Sequence, residues 1–203
     1  MTNQQYDQLL NIKTVGNQKG FHKSLHYHRY EPTPYQGLEQ LFQSYELRSG
    51  DRVVDFGCGK GRLNFYIYHL FNVDVVGIEM DEIFYQDAME NRGDYIKKYK
   101  NGSEKIHFQC CMAQDYEIKP NDNRFYFFNP FSLQVFIQVV NRILLSVEIM
   151  EREVDLILYY PSEDYIYFLE NQTAFEMIQE VKLKGKYEHN SNERFLIYRL
   201  RHW

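Results

Sequence analysis

The 203-residue sequence predicts one α/β domain: a mostly parallel sheet, helices on both faces and an antiparallel hairpin at one edge. Three observations carry this reading. Short apolar runs of strand length alternate with helix-patterned segments between residues 52 and 179. The first of those runs leads directly into a glycine-rich loop that opens a helix. Two strand-like runs close the chain with no helix between them, which implies antiparallel pairing at the sheet edge.

The elements follow in order. Residues 1–34 read as an appended N-terminal segment or lid, and residues 35–203 as the main domain. Leu9, Leu10 and Ile12 fit a short helix, interrupted by Gly16 and Gly20. Glu31-Pro32-Thr33-Pro34 is a stiff extended break, because each proline fixes φ and restricts the residue before it. Residues 35–47 form a helix with Leu38, Leu41, Phe42 and Tyr45 on one face, stopped by the turn at 49–51. Strands are expected at 52–56, 74–79, 105–111, 124–128 and 154–160. Helices are expected at 62–71, 81–99, 132–150 and 163–179. Residues 181–188 and 193–201 pair around the turn at 189–192.

Composition narrows the function classes. The net charge of −5 is unlike that of a strongly basic nucleic-acid binder, although a local patch can suffice. The most basic stretch, residues 19–29, includes His22, His26 and His28 and reads as a solvated face or loop. No Cys or acidic residue lies near those histidines at a metal-supporting spacing, so no metal is expected. Cys58, Cys110 and Cys111 form no C-x-x-C and give an odd count, which argues against a disulfide framework. No run reaches the roughly 20 apolar residues of a membrane span. No basic stretch followed by an apolar core opens the chain, so a signal peptide is not expected. A reduced, cytoplasmic setting is the simplest expectation. With 18 Tyr and 15 Phe, an aromatic counts as a substrate contact only where its position gives a second reason.

The chemistry-bearing segment is Asp55-Phe56-Gly57-Cys58-Gly59-Lys60-Gly61. Alternate glycines let the backbone turn tightly and approach a ligand. Asp55, at the strand end, is placed to accept from an ammonium or a loop amide. A phosphate-binding P-loop requires Ser or Thr after the lysine, where this chain has Gly61. A dinucleotide loop requires Gly or Ala where this chain has Arg62. Glu79 ends the next strand, 20 positions after Gly59, where a carboxylate can accept both hydroxyls of a ribose. Met80 follows it, against an adenine face. Cys58 lies within the loop and reads as a small buried residue rather than a nucleophile.

The form D-x-G-x-G-x-G resembles the first motif of class I S-adenosylmethionine-dependent methyltransferases. The resemblance implies their Rossmann-like seven-stranded sheet, mostly parallel with one antiparallel edge strand. It implies S-adenosylmethionine as cofactor, S-adenosylhomocysteine as product, and cofactor contacts at Asp55, Gly57, Cys58, Gly59, Gly61, Glu79 and Met80. Many relatives hold the adenine amine with an aspartate before a small residue after strand three. Alignment on Ala113 puts Met112 at that aspartate, so Asp115 or backbone groups around Met112 and Ala113 take the role. Uncharacterised bacterial members with a G-x-G-K-G-R loop carry a similar upstream Tyr/Pro-Thr segment. By that likeness Tyr30 and Thr33 cap the methionine end, or the segment is a rigid linker.

Asn129-Pro130-Phe131 follows strand four and resembles the Asn-Pro-Pro-aromatic motif of amino-methyltransferases, with the second proline missing. In that motif the Asn and a proline carbonyl orient the acceptor nitrogen, and the aromatic packs on the substrate. Alternatively, Asn-Pro is a turn. Tyr159-Tyr160-Pro161 stands either to wall a substrate site or to pack in the core. The expected activity is methyl transfer to an amine nitrogen on a macromolecule, protein or RNA. The alternatives are a small-molecule or O-methyltransferase and a non-catalytic S-adenosylmethionine-binding protein. A dinucleotide oxidoreductase is disfavoured by Arg62.

Overall fold

The structure is a computed structural model that describes residues 1–15, 31–102 and 104–201; Tyr30 and residues 19–29 lie outside the described residues. Five parallel strands form its centre: β1 (Arg52–Phe56), β2 (Asp74–Glu79), β3 (Ile106–Cys110), β4 (Arg124–Phe127) and β5 (Asp155–Tyr159). β6 (Phe175–Lys182) and β7 (Arg194–Leu200) complete the sheet, with β7 antiparallel to both β5 and β6. The order is β3-β2-β1-β4-β5-β7-β6, so the chain reverses its direction of travel across the sheet between β1 and β4.

Helices cover both faces, as a parallel sheet demands. One core lies under α5 (Leu133–Ile149) and α6 (Glu163–Gln172) and takes Val54, Phe56, Phe125 and Phe127 from the strands. The other lies under α1 (Asn3–Leu10), α2 (Tyr35–Phe42), α3 (Arg62–Phe71) and α4 (Glu82–Tyr99), and takes Val53, Val75, Tyr126 and Ile157. Strand alternation places Asp55 on this second face, in register with Gly77 of β2 and Tyr126 of β4.

The first 15 residues are built into this second core. Thr2 caps α1 through a reciprocal pair with Gln5, and Leu10 and Ile12 are buried beside Tyr35. Among the described residues no helix is long and apolar enough to cross a membrane.

Two predicted helices end early. The one expected over 35–47 stops at Phe42. Tyr45 and Leu47 are buried without being helical, because the Tyr45 hydroxyl donates to Asp155 Oδ2 at 2.7 Å and pins the chain there. The helix expected over 163–179 stops at Gln172. Thr173 ends it: its hydroxyl donates to the Leu169 carbonyl at 2.7 Å and accepts from Phe175 N at 3.1 Å. Residues 175–182 are strand β6, a largely exposed edge whose mixed apolar and charged residues carry no clear period. Residues 183–193 are its turn region, closed by Tyr187 N donating to the Leu183 carbonyl at 2.9 Å.

Candidate active site

The glycine loop leaves β1 at the point where the strand order reverses, which is where ligands bind in open α/β sheets. Two loop amides, Gly57 N and Cys58 N, donate to the Ile78 carbonyl of β2 at 2.9 and 3.1 Å. The loop therefore folds back on the neighbouring strand before entering α3. Gly57 and Gly61 have φ of +80° and +84°, the left-handed region. A Cβ on Gly57 would lie 2.9 Å from Pro130 Cβ, and one on Gly61 would lie 2.6 Å from the Phe108 ring. The first contact shows that the predicted Asn-Pro segment after β4 lies against the glycine loop.

Glu79 is bound into the same structure. Its carboxylate accepts from Gly59 N and from Asp81 N, both at 2.8 Å. Burial pushes its carboxyl above the usual range, opposed by those backbone donors. Asp55 is 3% exposed, and burial followed by the Glu79 charge pushes its carboxyl well up. Two buried carboxylates thus flank the loop, an environment that favours a cationic ligand. Cys58 is buried, and its Sγ sits where a Cβ on Gly77 would come within 2.6 Å. Burial, Asp55 and Glu79 all raise its thiol, so Cys58 packs the loop onto β2 in the neutral form.

The loop is also tied to α4 and to the N-terminus. Lys60 Nζ lies 3.0 Å from Asp87 Oδ2, and Asn91 Nδ2 donates to the Lys60 carbonyl at 3.0 Å. Arg62 is buried at the start of α3. Its Nε donates to Thr14 Oγ1 at 2.7 Å, its Nη1 to the Thr33 carbonyl at 3.3 Å, and its guanidinium packs 4.7 Å from the Tyr35 ring centroid. Asp7 completes this group by accepting from Thr14 N at 2.6 Å and from the Tyr35 hydroxyl at 2.8 Å.

Thr33 lies on the cofactor-loop face of the sheet. Its hydroxyl pairs with Tyr126 at 2.7 Å, and Tyr126 stands beside Asp55 on the neighbouring strand. Met112 is half exposed after β3, where Cys111 N donates to the Glu79 carbonyl at 3.1 Å. Ala113 is buried in the single turn that follows, and Asp115 is exposed. Asn129 has φ of +38°, so the chain turns sharply out of β4. Phe131 is placed in the core: it is 1% exposed, its ring lies 6.1 Å from that of Phe127, and its carbonyl accepts from the Tyr165 hydroxyl. Phe128, not Phe131, lines a cavity, together with Tyr159 and Tyr160.

The structure thus brings Asp55, Gly57, Cys58, Gly59, Gly61, Glu79, Thr33 and Pro130 to one end of the sheet. It adds Tyr126 and Arg62 to them. Tyr126 read as one more aromatic of a strand, and the position of Arg62 was informative only against a dinucleotide loop. Among the described residues no group of three or more His, Cys, Asp or Glu is arranged to hold a metal ion.

A methyltransferase domain family model matches residues 47–189. No curated protein sequence matches the chain. A Pyrococcus horikoshii structure described as a candidate RNA methyltransferase is 17% identical, covers 97% of each chain and superposes with a TM-score of 0.60. The [4+2]-cyclase SpnF is 14% identical over 87% of each chain, with a TM-score of 0.58. A methyltransferase from Thiobacillus denitrificans, crystallised with S-adenosylhomocysteine, is 13% identical over 85% of this chain and 92% of its own, with a TM-score of 0.54. These likenesses show the fold, and SpnF shows that the fold also hosts another reaction. Through the methyltransferase domain spanning residues 47–189, the chain belongs to the S-adenosylmethionine-dependent methyltransferases.

Proposed function

We propose that this enzyme transfers a methyl group from S-adenosylmethionine to an amine nitrogen on a macromolecule, protein or RNA. The observation that carries the reading is the contact between Pro130 and Gly57, which seats the Asn-Pro turn after β4 directly on the cofactor loop. When bound, S-adenosylmethionine supplies an electrophilic methyl on a sulfonium, already activated for transfer. Glu79 would accept from the ribose hydroxyls beside its loop donors. Asp55, beside Tyr126 and Thr33, would accept from the cofactor's ammonium. Residues 112 and 113, next to Glu79, would border the adenine, with Met80 on its face.

Asn129 follows β4 at the edge of this loop. Its side-chain amide would accept from an acceptor N–H and aim the nitrogen lone pair at the methyl. Orientation in a water-poor site supplies most of the acceleration such a reaction needs. RNA stands among the acceptors because proteins of this fold, the Pyrococcus one included, are described as acting on it.

The test is transfer of tritiated methyl from S-adenosylmethionine to protein and RNA fractions of a cell extract. Asn129→Ala is expected to abolish labelling while leaving cofactor binding within about twofold of wild type. Full labelling by the variant would remove Asn129 from the reaction. Labelling confined to oxygen or to small metabolites would replace the amine reading.

A further inference from the structure

A cavity of about 280 Å³ opens at the ends of β4 and β5, next to the Asn-Pro turn. Its walls are aromatic. Phe128 and Tyr159 lie 4.5 Å apart by ring centroids, and Tyr160 lies 6.5 Å from Phe128 and 6.3 Å from Tyr159. Tyr160 is held in the left-handed region at φ +52°, and its hydroxyl accepts from Asn190 Nδ2 at 2.7 Å. Two fixed rings and a strained backbone residue define the shape of this wall. Pro32 and Pro34 belong to the same lining.

The described lining of the cavity is acidic on balance. Among the described lining residues Glu31 and Glu193 contribute carboxylates and Lys186 a cation. Lys186 is paired with Glu193, at 3.7 Å, and Glu193 also accepts from the Tyr159 hydroxyl at 2.6 Å. Burial, with that hydrogen bond next, holds the Tyr159 hydroxyl in its protonated form. Glu31 is an exposed residue of the cavity lining, close enough for its charge to raise the Tyr159 hydroxyl.

We propose that this cavity receives the acceptor as an alkylammonium, a primary amine on a flexible aliphatic stem as a lysine side chain presents it, which releases one proton to water before its nitrogen lone pair attacks the methyl and S-adenosylhomocysteine leaves. Aromatic faces attract an ammonium through their quadrupoles, and Glu31 adds the opposite charge. The volume lies just below that of small-molecule pockets, which run from roughly 300 to 1,000 Å³, and suits one side chain better than a nucleotide. A nucleotide would also bring a phosphate towards Glu31 and Glu193, against the rule that phosphate contacts come from Lys and Arg. The proposal rests on the methyltransferase reading above, because it assigns the acceptor of that same reaction.

The test is binding rather than turnover. Ligand-observed NMR would titrate n-pentylammonium, the isosteric neutral 1-pentanol, Nα-acetyl-lysine methylamide and adenosine 5′-monophosphate. Calorimetry on the same sample would measure S-adenosylmethionine. The ammonium is expected to bind at least tenfold more tightly than the alcohol. Glu31→Gln, a surface change that keeps size and shape, is expected to remove most of that preference. Tighter binding of the lysine derivative than of pentylammonium would support a protein side chain as the carrier. Equal affinity for ammonium and alcohol, no saturable ammonium binding, or stronger binding of the nucleotide would overturn the proposal. Any of these with intact cofactor binding leaves the methyltransferase reading standing, whereas loss of cofactor binding strikes that reading itself.

Discussion

Arg62 Nε donates to Thr14 Oγ1 at 2.7 Å, across 48 positions of sequence. The first residue after the glycine loop therefore holds the N-terminal segment in place. Asp7, Thr14, Thr33 and Tyr35 meet around this one guanidinium, all of them buried. Arg62→Ala leaves Asp7 buried without its cation. Removing one partner of a buried ionic group costs roughly 3–5 kcal/mol. Denaturant unfolding is expected to show a loss of that order. Arg62→Lys is expected to recover only part of it, because an ammonium cannot reproduce the fork that reaches both Thr14 and Thr33. An unchanged midpoint in Arg62→Ala would show that the cluster is not an anchor.

Asp55 contributes a pH dependence to the stability of the unliganded protein. Burial and Glu79 raise its folded carboxyl above the unfolded value. The sign follows: the folded state holds its proton more tightly, so this group's contribution to stability is full at low pH and is lost as pH rises through the folded value. Asp55→Asn is therefore expected to raise the melting temperature of the free protein at neutral pH while weakening S-adenosylmethionine binding at least tenfold. For a chain of this size each kcal/mol is worth about 2–4 °C. Thermal scans with and without cofactor check both halves. A variant that melts lower without cofactor would contradict the electrostatic account of the site.

Glu79 anchors the loop through Gly59 N, and the proposed function also gives it the ribose. Hydrogen bonds to a charged group are worth roughly 1.5–3 kcal/mol. Glu79→Gln is expected to weaken cofactor affinity about 10- to 100-fold in calorimetry. A change under threefold would place the ribose elsewhere.

Gly57→Ala tests the contact between the loop and the Asn-Pro turn. The left-handed backbone at φ +80° costs a side-chain-bearing residue roughly 1–2 kcal/mol, and the new methyl would meet Pro130 Cβ at 2.9 Å. Activity is expected to fall more than tenfold, with a melting temperature lower by about 2–8 °C. Wild-type activity would show that Pro130 can withdraw without consequence.

Much of the site was legible because its signals are local. Gly57, Gly59, Gly61 and Glu79 declare a loop and a strand end in a few residues each, and the sheet follows from strand and helix alternation. What was hidden depends on distant partners. Arg62 reads as an ordinary helix residue until Thr14 and Asp7 are brought beside it. Tyr126 reads as core until its hydroxyl meets Thr33. Phe131 drew attention through its motif; past the turn at Asn129 it is buried in the core, and Phe128 lines the cavity. Strand β6 was read partly as helix because an exposed edge imposes no clean two-residue period, and the Thr173 hydrogen bonds that end α6 leave no distinct mark on the pattern.

The central claim is that the loop from Asp55 to Gly61, with Glu79, forms a site for S-adenosylmethionine. Calorimetric titration of the purified chain with S-adenosylmethionine, run in parallel with NADH, tests it most directly. The account predicts saturable heat with one S-adenosylmethionine per chain and none with NADH. Absence of heat with S-adenosylmethionine, or binding of NADH in its place, would contradict it.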